Sequence, residues 1–108
     1  MLKGKVVGLS FHKTNKAVND GDILTIIADT DNKFDKDALA VYNDDEELVG
    51  YIANSEKTLS KGNRAKGNIS ASEIKMIYDF TQSYKAVAIK THKSCIFVAV
   101  MKNELWTN

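Results

Sequence analysis

Short apolar runs separated by polar turns dominate the first half of the chain. Alternating or apolar runs bounded by Asn, Asp and Gly are typical of β-strands joined by turns. The pattern predicts strands at residues 5–11, 23–28, 38–42 and 48–52. Residues 23–28 are almost continuously apolar, which predicts burial on both faces of that strand. The last two strands flank a polar turn at residues 43–46, so they form a predicted β-hairpin.

Two helix signals follow these strands. Asn54 and Ser55 can cap a short helix over residues 55–60. Ser70 and Glu73 have the spacing of a capping box, in which the two side chains satisfy free amides at a helix start. Apolar or weakly polar side chains then recur at helical spacing and predict a helix with one apolar face over about three turns. These residues are Ile74, Ile77, Tyr78 and Thr81.

The end of the chain predicts a closing hairpin, because residues 86–91 and 95–101 are again alternating or apolar and flank a polar turn. Short strands joined by turns, with one short and one longer helix, favour a mainly β protein: a small antiparallel β-barrel of about six strands. An open α+β sheet is the alternative that the pattern alone leaves. The chain has 108 residues, close to the usual size of one domain, so we predict a single domain over residues 1–108.

A polar loop with one large aromatic residue occupies residues 31–37, and we call it the Phe34 loop. Asn and Asp favour turns because their side chains bond to the nearby backbone. A turn has no need of the apolar ring of Phe34, which is therefore either buried by the fold or offered to a ligand. Because polar and charged residues flank Phe34, we expect it to be exposed. For Phe11, at the end of the first predicted strand, burial in the core is as reasonable as exposure.

The Phe34 loop and the hairpin after it resemble the core motif of the HIRAN domain family, N-x-[FY]-D-x-[ND]-A-[IL]-x-V followed by V-G-Y-I. The matching residues are Asn32, Phe34, Asp35, Asp37, Ala38, Leu39, Val41, Val49, Gly50, Tyr51 and Ile52. An earlier V-G-hydrophobic-x-aromatic segment and a Gly-acid pair are also similar to that family, at Val7, Gly8, Leu9, Ser10, Phe11, Gly21 and Asp22. The resemblance spans residues 3–60 and implies a modified OB-like barrel with two helices.

The resemblance also implies a function. In fork-remodelling helicases of the Swi/Snf type, HIRAN domains bind the free 3′ end of single-stranded DNA. The matching roles here are base stacking by Phe11 and Phe34, and contact of Asp35 with the 3′-hydroxyl, a donor that a carboxylate can accept. Asn32 would orient the loop or bond to the nucleotide. Ser10 and His12 stand where helicase relatives carry a cation and a second aromatic residue. Phe34 itself replaces the usual tyrosine, which keeps the stacking face and loses one hydroxyl.

Charge is distributed unevenly along the chain, although the net charge is only +1. Residues 1–56 contain six lysines and eleven acidic residues, whereas residues 57–108 contain nine basic and three acidic residues. A basic segment can indicate a polyanionic partner, and the alternative is an ordinary solvated surface. Cations beside aromatic residues are typical of single-strand binding. The candidate phosphate contacts are Lys36, Lys57, Lys61, Arg64 and Lys66.

Catalytic and metal chemistry have little support in the sequence. The chain has two histidines and one cysteine, without a nucleophile-elbow pattern or the ligand spacing of a structural zinc site. Calcium needs clustered oxygen ligands, for which the candidates are Asp29, Asp31, Asp35 and Asp37. The EF-hand template fails, because Phe34 occupies its glycine position and Ala40 occupies its terminal glutamate position. We therefore predict a protein without enzymatic activity, metal or cofactor.

The resemblance implies a module that binds single-stranded DNA at free 3′ ends in DNA repair or processing, and we expect a helicase or nuclease to be supplied in trans. A protein–protein adaptor that does not bind DNA is the alternative. The lone Cys95 suits a reducing compartment, and we expect a cytoplasmic protein without a secretory signal or a membrane span.

Two further aromatic residues have open roles. Tyr51 lies within a predicted strand, where a half-buried packing role is more usual than a ligand contact. Trp106 near the end of the sequence either docks the tail onto the barrel or contacts a partner.

Overall fold

The computed structural model describes residues 2–9, 13–54 and 67–101, and these form a closed β-barrel with one α-helix. The elements are β1 (Leu2–Val7), β2 (Ile23–Ala28), β3 (Leu39–Tyr42), β4 (Leu48–Ile52), α1 (Ala71–Ile77), β5 (Tyr84–Thr91) and β6 (Ile96–Met101). Around the barrel the strands follow the order β1-β4-β3-β2-β5-β6, with every pair antiparallel and β6 returning to β1. The predicted six-stranded antiparallel barrel is confirmed.

Aliphatic side chains from all six strands fill the barrel interior. Alternate residues of a regular strand point to opposite faces, and β2 accordingly contributes Leu24 and Ile26 to the core. The largest fully buried side chains are Leu24, Ile26, Leu39, Ile74, Val6, Val41, Val98 and Val100. Among them only Ile74 comes from α1, which packs onto the same core as the strands.

Strand β2 has the predicted bounds, but the prediction that both of its faces are buried is wrong. Leu24 and Ile26 are inside the barrel, whereas Ile23 and Ile27 are 44% and 43% exposed. A closed barrel of this size has an inner and an outer face, and among the described residues no second layer covers the outer face of β2. The continuous apolar run therefore reflects β-propensity on the outer face rather than burial.

Strand β1 starts and ends earlier than predicted. It covers Leu2–Val7 rather than residues 5–11, and it is extended backwards by pairing with β6, in which Leu2 lies opposite Val100. Gly8 then adopts a φ of +79°, a conformation that suits glycine and takes the chain out of the strand. Residues 10 and 11, the end of the predicted strand, lie outside the described part of the chain.

Strands β1 and β4 approach each other closely at Gly50. A Cβ atom at this position would lie 2.3 Å from the carbonyl oxygen of Val7, a backbone atom that cannot move aside. We expect Gly50→Ala to lower the free energy of unfolding by at least about 1 kcal/mol, because overpacking forces backbone shifts. Chemical denaturation measures the change.

Gly4→Ala is the matched control, since its Cβ would meet flexible side-chain atoms at 3.4 Å or more. Equal destabilisation by the two substitutions would contradict the close approach at Gly50.

The capping box that starts α1 is confirmed. The Ser70 side chain accepts a hydrogen bond from the backbone amide of Glu73, and the Glu73 carboxylate accepts one from the amide of Ser70. The helix is shorter than predicted and ends at Ile77. The Ile77 side chain is 59% exposed, so it does not share the buried face of Ile74. Tyr78 leaves the helix in an extended conformation and stacks on Tyr84, with ring centroids 5.2 Å apart. The chain is thereby drawn toward β5 instead of continuing as a helix.

The closing hairpin of β5 and β6 is confirmed, and it begins earlier than predicted, at Tyr84. The helix predicted over residues 55–60 and the tail with Trp106 lie outside the described residues. Within residues 2–9, 13–54 and 67–101, no helix has the length and apolar character needed to span a bilayer.

Candidate nucleic-acid interface

The Phe34 loop connects β2 to β3 and is closed at its base by backbone hydrogen bonds. The amide of Asp29 donates to the carbonyl of Ala38 at 2.9 Å, and the amide of Ala38 donates to the carbonyl of Asp35 at 3.1 Å. The first bond continues the β2–β3 ladder beyond the pair Ala28 and Leu39, and the second closes a turn within the loop. The barrel thus holds both ends of the loop in fixed positions.

Asn32 shapes the tip of the Phe34 loop. Its Oδ1 atom accepts hydrogen bonds from the backbone amides of Phe34 and Asp35, each at 2.9 Å. An Asn side chain that bonds to the backbone two and three residues ahead fixes the local turn. The role of orienting the loop, one of the two roles considered for Asn32, is therefore visible in its contacts.

The Phe34 side chain is 99% exposed. The expected exposure of this residue is confirmed, and it is the most exposed of the large hydrophobic side chains in the described part of the chain. Because the backbone amide of Phe34 donates to Asn32, the backbone that carries the exposed ring is held in a defined turn. Nothing in the packing of the barrel accounts for an apolar ring at this position.

Asp35, beside Phe34, is half-buried and held by two hydrogen bonds. Its Oδ1 atom accepts from the backbone amide of Asp37 at 2.9 Å, and its Oδ2 atom accepts from Nδ2 of Asn54 at 2.8 Å. An ionised carboxylate has about four lone-pair sites. The geometry therefore fixes the orientation of the carboxylate and leaves it acceptor capacity for a further donor.

Asn54 links the Phe34 loop to the start of α1. While its Nδ2 atom donates to Asp35, its Oδ1 atom accepts from the backbone amide of Ser72 at 2.8 Å. The Ser72 hydroxyl in turn donates to Oδ2 of Asp37 at 3.0 Å. The loop, the end of β4 and the first turn of α1 form one hydrogen-bonded unit.

Sequence analysis missed this role of Asn54, which it assigned as the cap of a helix over residues 55–60. The partners of Asn54 are 19 and 18 positions away, so no local pattern indicates them.

Tyr51 supports the loop from β4. Its hydroxyl donates to Oδ2 of Asp29 at 3.0 Å, and the same oxygen accepts from Nδ2 of Asn32 at 3.4 Å. Burial, and then the neighbouring Asp29 carboxylate, raise the pKa of the Tyr51 hydroxyl above its ordinary value. The hydroxyl therefore stays protonated and able to donate at neutral pH. Tyr51 is half-buried as expected, but it also braces the Phe34 loop, which the sequence did not indicate.

The structure brings together four of the predicted site residues, Asn32, Phe34, Asp35 and Lys36. The Lys36 side chain is exposed, while its carbonyl accepts from Nζ of Lys75 at 3.4 Å. Lys75 also lies 3.6 Å from Oδ1 of Asp37, which ties α1 to the loop a second time. The remaining predicted site residues lie outside the described part of the chain: Ser10, Phe11, His12, Lys57, Lys61, Arg64 and Lys66.

Three of the four aspartates considered as calcium ligands accept hydrogen bonds from other side chains. Tyr51 bonds to Asp29, Asn54 bonds to Asp35, and Ser72 bonds to Asp37. In the described segments of the chain, no three His, Cys, Asp or Glu side chains are placed to hold a metal ion together.

We expect thermal melts recorded with EDTA and with excess Ca²⁺ to coincide, because three of the four candidate carboxylates already have donors that a cation would have to replace. A ligand that binds the native state raises its stability by mass action. A melting temperature several degrees higher with Ca²⁺ would assign the Phe34 loop to metal binding instead.

Comparison with known proteins identifies the family. The family model of the HIRAN domain matches residues 1–79, which include β1 to β4, the Phe34 loop and α1. No curated protein sequence matches the chain significantly.

Two solved structures share its fold. The crystal structure of the HIRAN domain of human HLTF superposes with a TM-score of 0.54 at 19% identity, covering 92% of this chain and 73% of that chain. The crystal structure of a protein from Lactobacillus plantarum gives a TM-score of 0.63 at 16% identity, covering 93% and 89% of the two chains. At such low identities these likenesses show the barrel fold alone. The family match over residues 1–79 shows that the chain belongs to the HIRAN domain family.

Proposed function

We propose that this protein binds single-stranded DNA and recognises a free 3′ end through the Phe34 loop. HIRAN domains are nucleic-acid-binding modules. The observation that carries the proposal is the Phe34 ring, 99% exposed beside the oriented carboxylate of Asp35. An aromatic face and an acceptor next to each other match a terminal nucleotide, which offers a base to stack and a hydroxyl to donate.

Base stacking would give a role to the Phe34 ring, whose exposure to water is otherwise unfavourable. Aromatic side chains on single-strand-binding proteins contribute about 1–3 kcal/mol per base, with little dependence on sequence. Asn32 fixes the backbone of Phe34, so less conformational entropy is lost when a base stacks on it. The proposed role of Asn32 is therefore to preorganise the stacking platform.

Asp35 supplies the proposed end recognition. Its carboxylate accepts hydrogen bonds but cannot donate them when ionised. A 3′-hydroxyl is a suitable donor, whereas a phosphate at the same position would bring negative charge against the carboxylate. Asn54 and the amide of Asp37 hold the carboxylate in place before DNA arrives.

Cations around the loop complete the proposed site. Lys33 and Lys36 are exposed on either side of Phe34 and can contact phosphates. The other proposed contacts lie outside the described residues and rest on the sequence, and they are Ser10, Phe11, His12, Lys57, Lys61, Arg64 and Lys66.

We further propose that the protein binds the DNA end and has no enzymatic activity of its own. Binding of a DNA end by such a module serves repair or processing when a helicase or nuclease acts on the bound strand, and we propose that this partner acts in trans.

An anisotropy titration tests the function. A labelled single-stranded oligonucleotide and a blunt duplex of the same sequence are titrated with the protein at fixed salt, since affinity for nucleic acid depends strongly on salt. We expect the single strand to bind more tightly than the duplex. Equal affinity would contradict single-strand recognition, and no binding to either would favour the protein–protein adaptor.

Asn32→Ala tests the preorganisation step. The substitution removes the acceptor of two backbone hydrogen bonds, each worth about 0.5–1.5 kcal/mol net. We expect it to lower the free energy of unfolding and to weaken binding to the single strand several-fold, while the Phe34 side chain is unchanged. Denaturation and anisotropy on the same sample measure the two effects.

Asn43→Ala is the matched control for this variant. In the β3–β4 turn, Oδ1 of Asn43 likewise accepts from two backbone amides, those of Asp45 and Glu47, at 3.0 and 2.9 Å. We expect a comparable loss of stability and an unchanged affinity for DNA. A similar loss of affinity in both variants would mean that Asn32 acts only through global stability.

A further inference from the structure

The outer face of β1, β6 and β5 carries a row of lysines around an aromatic ring. Phe97 of β6 lies opposite Lys5 of β1 on one side and opposite Lys90 of β5 on the other. Residues opposite each other in an antiparallel ladder point to the same face of the sheet. Lys3 is two residues from Lys5 in β1, so it also points to this face. We define these four residues, Lys3, Lys5, Lys90 and Phe97, as the β1–β6–β5 face.

We propose that the β1–β6–β5 face is a second contact surface for single-stranded nucleic acid, which binds the strand leading away from the end held at the Phe34 loop. The proposal rests on the proposed function and extends it to four residues that are not among the predicted site residues. The lysines would contact phosphates, and the exposed side of Phe97 would stack on a base.

The charge of these strands favours a polyanion. Strands β1, β5 and β6 together contain four lysines and no acidic residue. Lys3 and Lys90 are exposed, whereas the fourth lysine, Lys85, is turned toward Thr25, to whose hydroxyl it donates at 2.8 Å. A nearby carboxylate, that of Asp20, accepts from the amide of Thr91 at 2.7 Å and interacts electrostatically with Lys90.

The aromatic part of the face lies beside a groove. Phe97 is half-buried, and the ring of His92 meets it edge-on with centroids 5.4 Å apart. The groove has a volume of about 260 Å³ and is lined by Lys3, Asn68, Ile89, Lys90, His92 and Phe97. Aromatic rings between cations are the arrangement that single-strand-binding proteins use to stack bases while holding phosphates.

The two surfaces meet at one short segment. The amide of Ala53 donates to the carbonyl of Lys5 at 2.7 Å, and the next residue, Asn54, donates to the Asp35 carboxylate at 2.8 Å. The β1–β6–β5 face and the Phe34 loop are therefore linked through two consecutive residues of the chain. In this proposal, the strand whose terminal nucleotide lies at Phe34 continues past this segment onto the lysine row.

Oligonucleotides of two lengths test the second surface. An OB-type domain contacts about 4–16 nucleotides, so a strand of about four nucleotides probes the end site alone and one of about 16 nucleotides probes both surfaces. Anisotropy is measured with the full chain over a range of salt concentrations, for Lys90→Glu, for Phe97→Leu and for Lys16→Glu. Lys16→Glu is the control, because it changes the net charge by the same amount at a different place. Lys16 lies 3.4 Å from Asp45, a residue of the acidic β3–β4 turn.

We expect Lys90→Glu to weaken binding of the long strand and to reduce its salt slope by about 0.7, the value for one phosphate contact on a single strand. Phe97→Leu should weaken binding of the long strand about fivefold, near the lower end of the range for one stacked base. The short strand should bind all three variants like the parent protein, and Lys16→Glu should bind the long strand like the parent protein. Melting temperatures verify that each variant is folded.

Three results would overturn the proposal. If Phe34→Ala weakens both strands while Lys90→Glu and Phe97→Leu weaken neither, the end site stands and the second surface does not. If Lys90→Glu weakens short and long strands equally, Lys90 belongs to the end site. If the parent protein binds neither strand, the proposed function and the second surface fail together.

Discussion

Replacing Phe34 with alanine is expected to weaken binding of single-stranded DNA about 5- to 150-fold and to leave the stability of the protein unchanged. The affinity range follows from about 1–3 kcal/mol for one stacked base, at about 1.4 kcal/mol per tenfold change. Stability should not change, because the side chain is 99% exposed and makes no contribution to the core. Truncation of a buried phenylalanine would instead cost about 3–5 kcal/mol of stability.

Phe80→Ala is the matched control for this substitution. Phe80 packs against the core, with its ring centroid 4.5 Å from that of Tyr84. We expect this variant to melt at a lower temperature and to bind DNA normally below that temperature. Phe34→Tyr should keep the affinity, since it retains the stacking face. A Phe34→Ala protein that binds DNA like the parent protein would remove Phe34 from the interface.

A strand ending in a 3′-hydroxyl is expected to bind at least about tenfold more tightly than the same strand ending in a 3′-phosphate. At about 4 Å and an effective dielectric constant near 20, two like charges repel by roughly 4 kcal/mol. Solvent and salt reduce this value, because Asp35 is only half-buried, so the full penalty is not expected. Competition titrations at two salt concentrations measure the ratio. The ratio should fall less with salt than the overall affinity, whose phosphate contacts are lost through counterion release.

Asp35→Asn should reduce this discrimination, because an amide carries no charge and can donate to a phosphate. The amide oxygen can retain one of the two hydrogen bonds that now orient the carboxylate. Asp31→Asn is the control, since it removes the same charge from an exposed position in the same loop. Equal binding of both oligonucleotides by the parent protein would leave single-strand binding intact and exclude end recognition by Asp35.

The strands that local pattern defines well were predicted correctly. Strands β2 and β4 have the predicted bounds, because polar turns flank them closely on both sides. The start of α1 was equally clear, since the capping box of Ser70 and Glu73 is a local signal. The limits of β1 and the end of α1 were not clear. They depend on the partner strand β6 and on the stacking of Tyr78 against Tyr84, which are features of the tertiary structure.

In the candidate site, too, some features follow from local sequence and others depend on the tertiary structure. Exposure of Phe34 was predictable from its polar neighbours, and the turn made by Asn32 follows from local chemistry. The supports provided by Tyr51 and Asn54 were not predictable from local pattern, because they join residues 22 and 19 positions apart. Sequence thus indicates which groups are presented to a ligand, whereas the structure adds the groups that hold them in position.

Closure of the barrel limits how a protein partner can attach. Each of the six described strands has a neighbour on both sides, because β6 pairs with β1. Many modules recruit extended peptides by adding a strand to an exposed sheet edge, and a closed barrel has no such edge. A helicase or nuclease that works with this protein would therefore contact loops and side chains rather than extend the sheet. We therefore expect that substitutions on the barrel surface can separate DNA binding from partner recruitment. Strand-breaking changes in the partner should not affect recruitment.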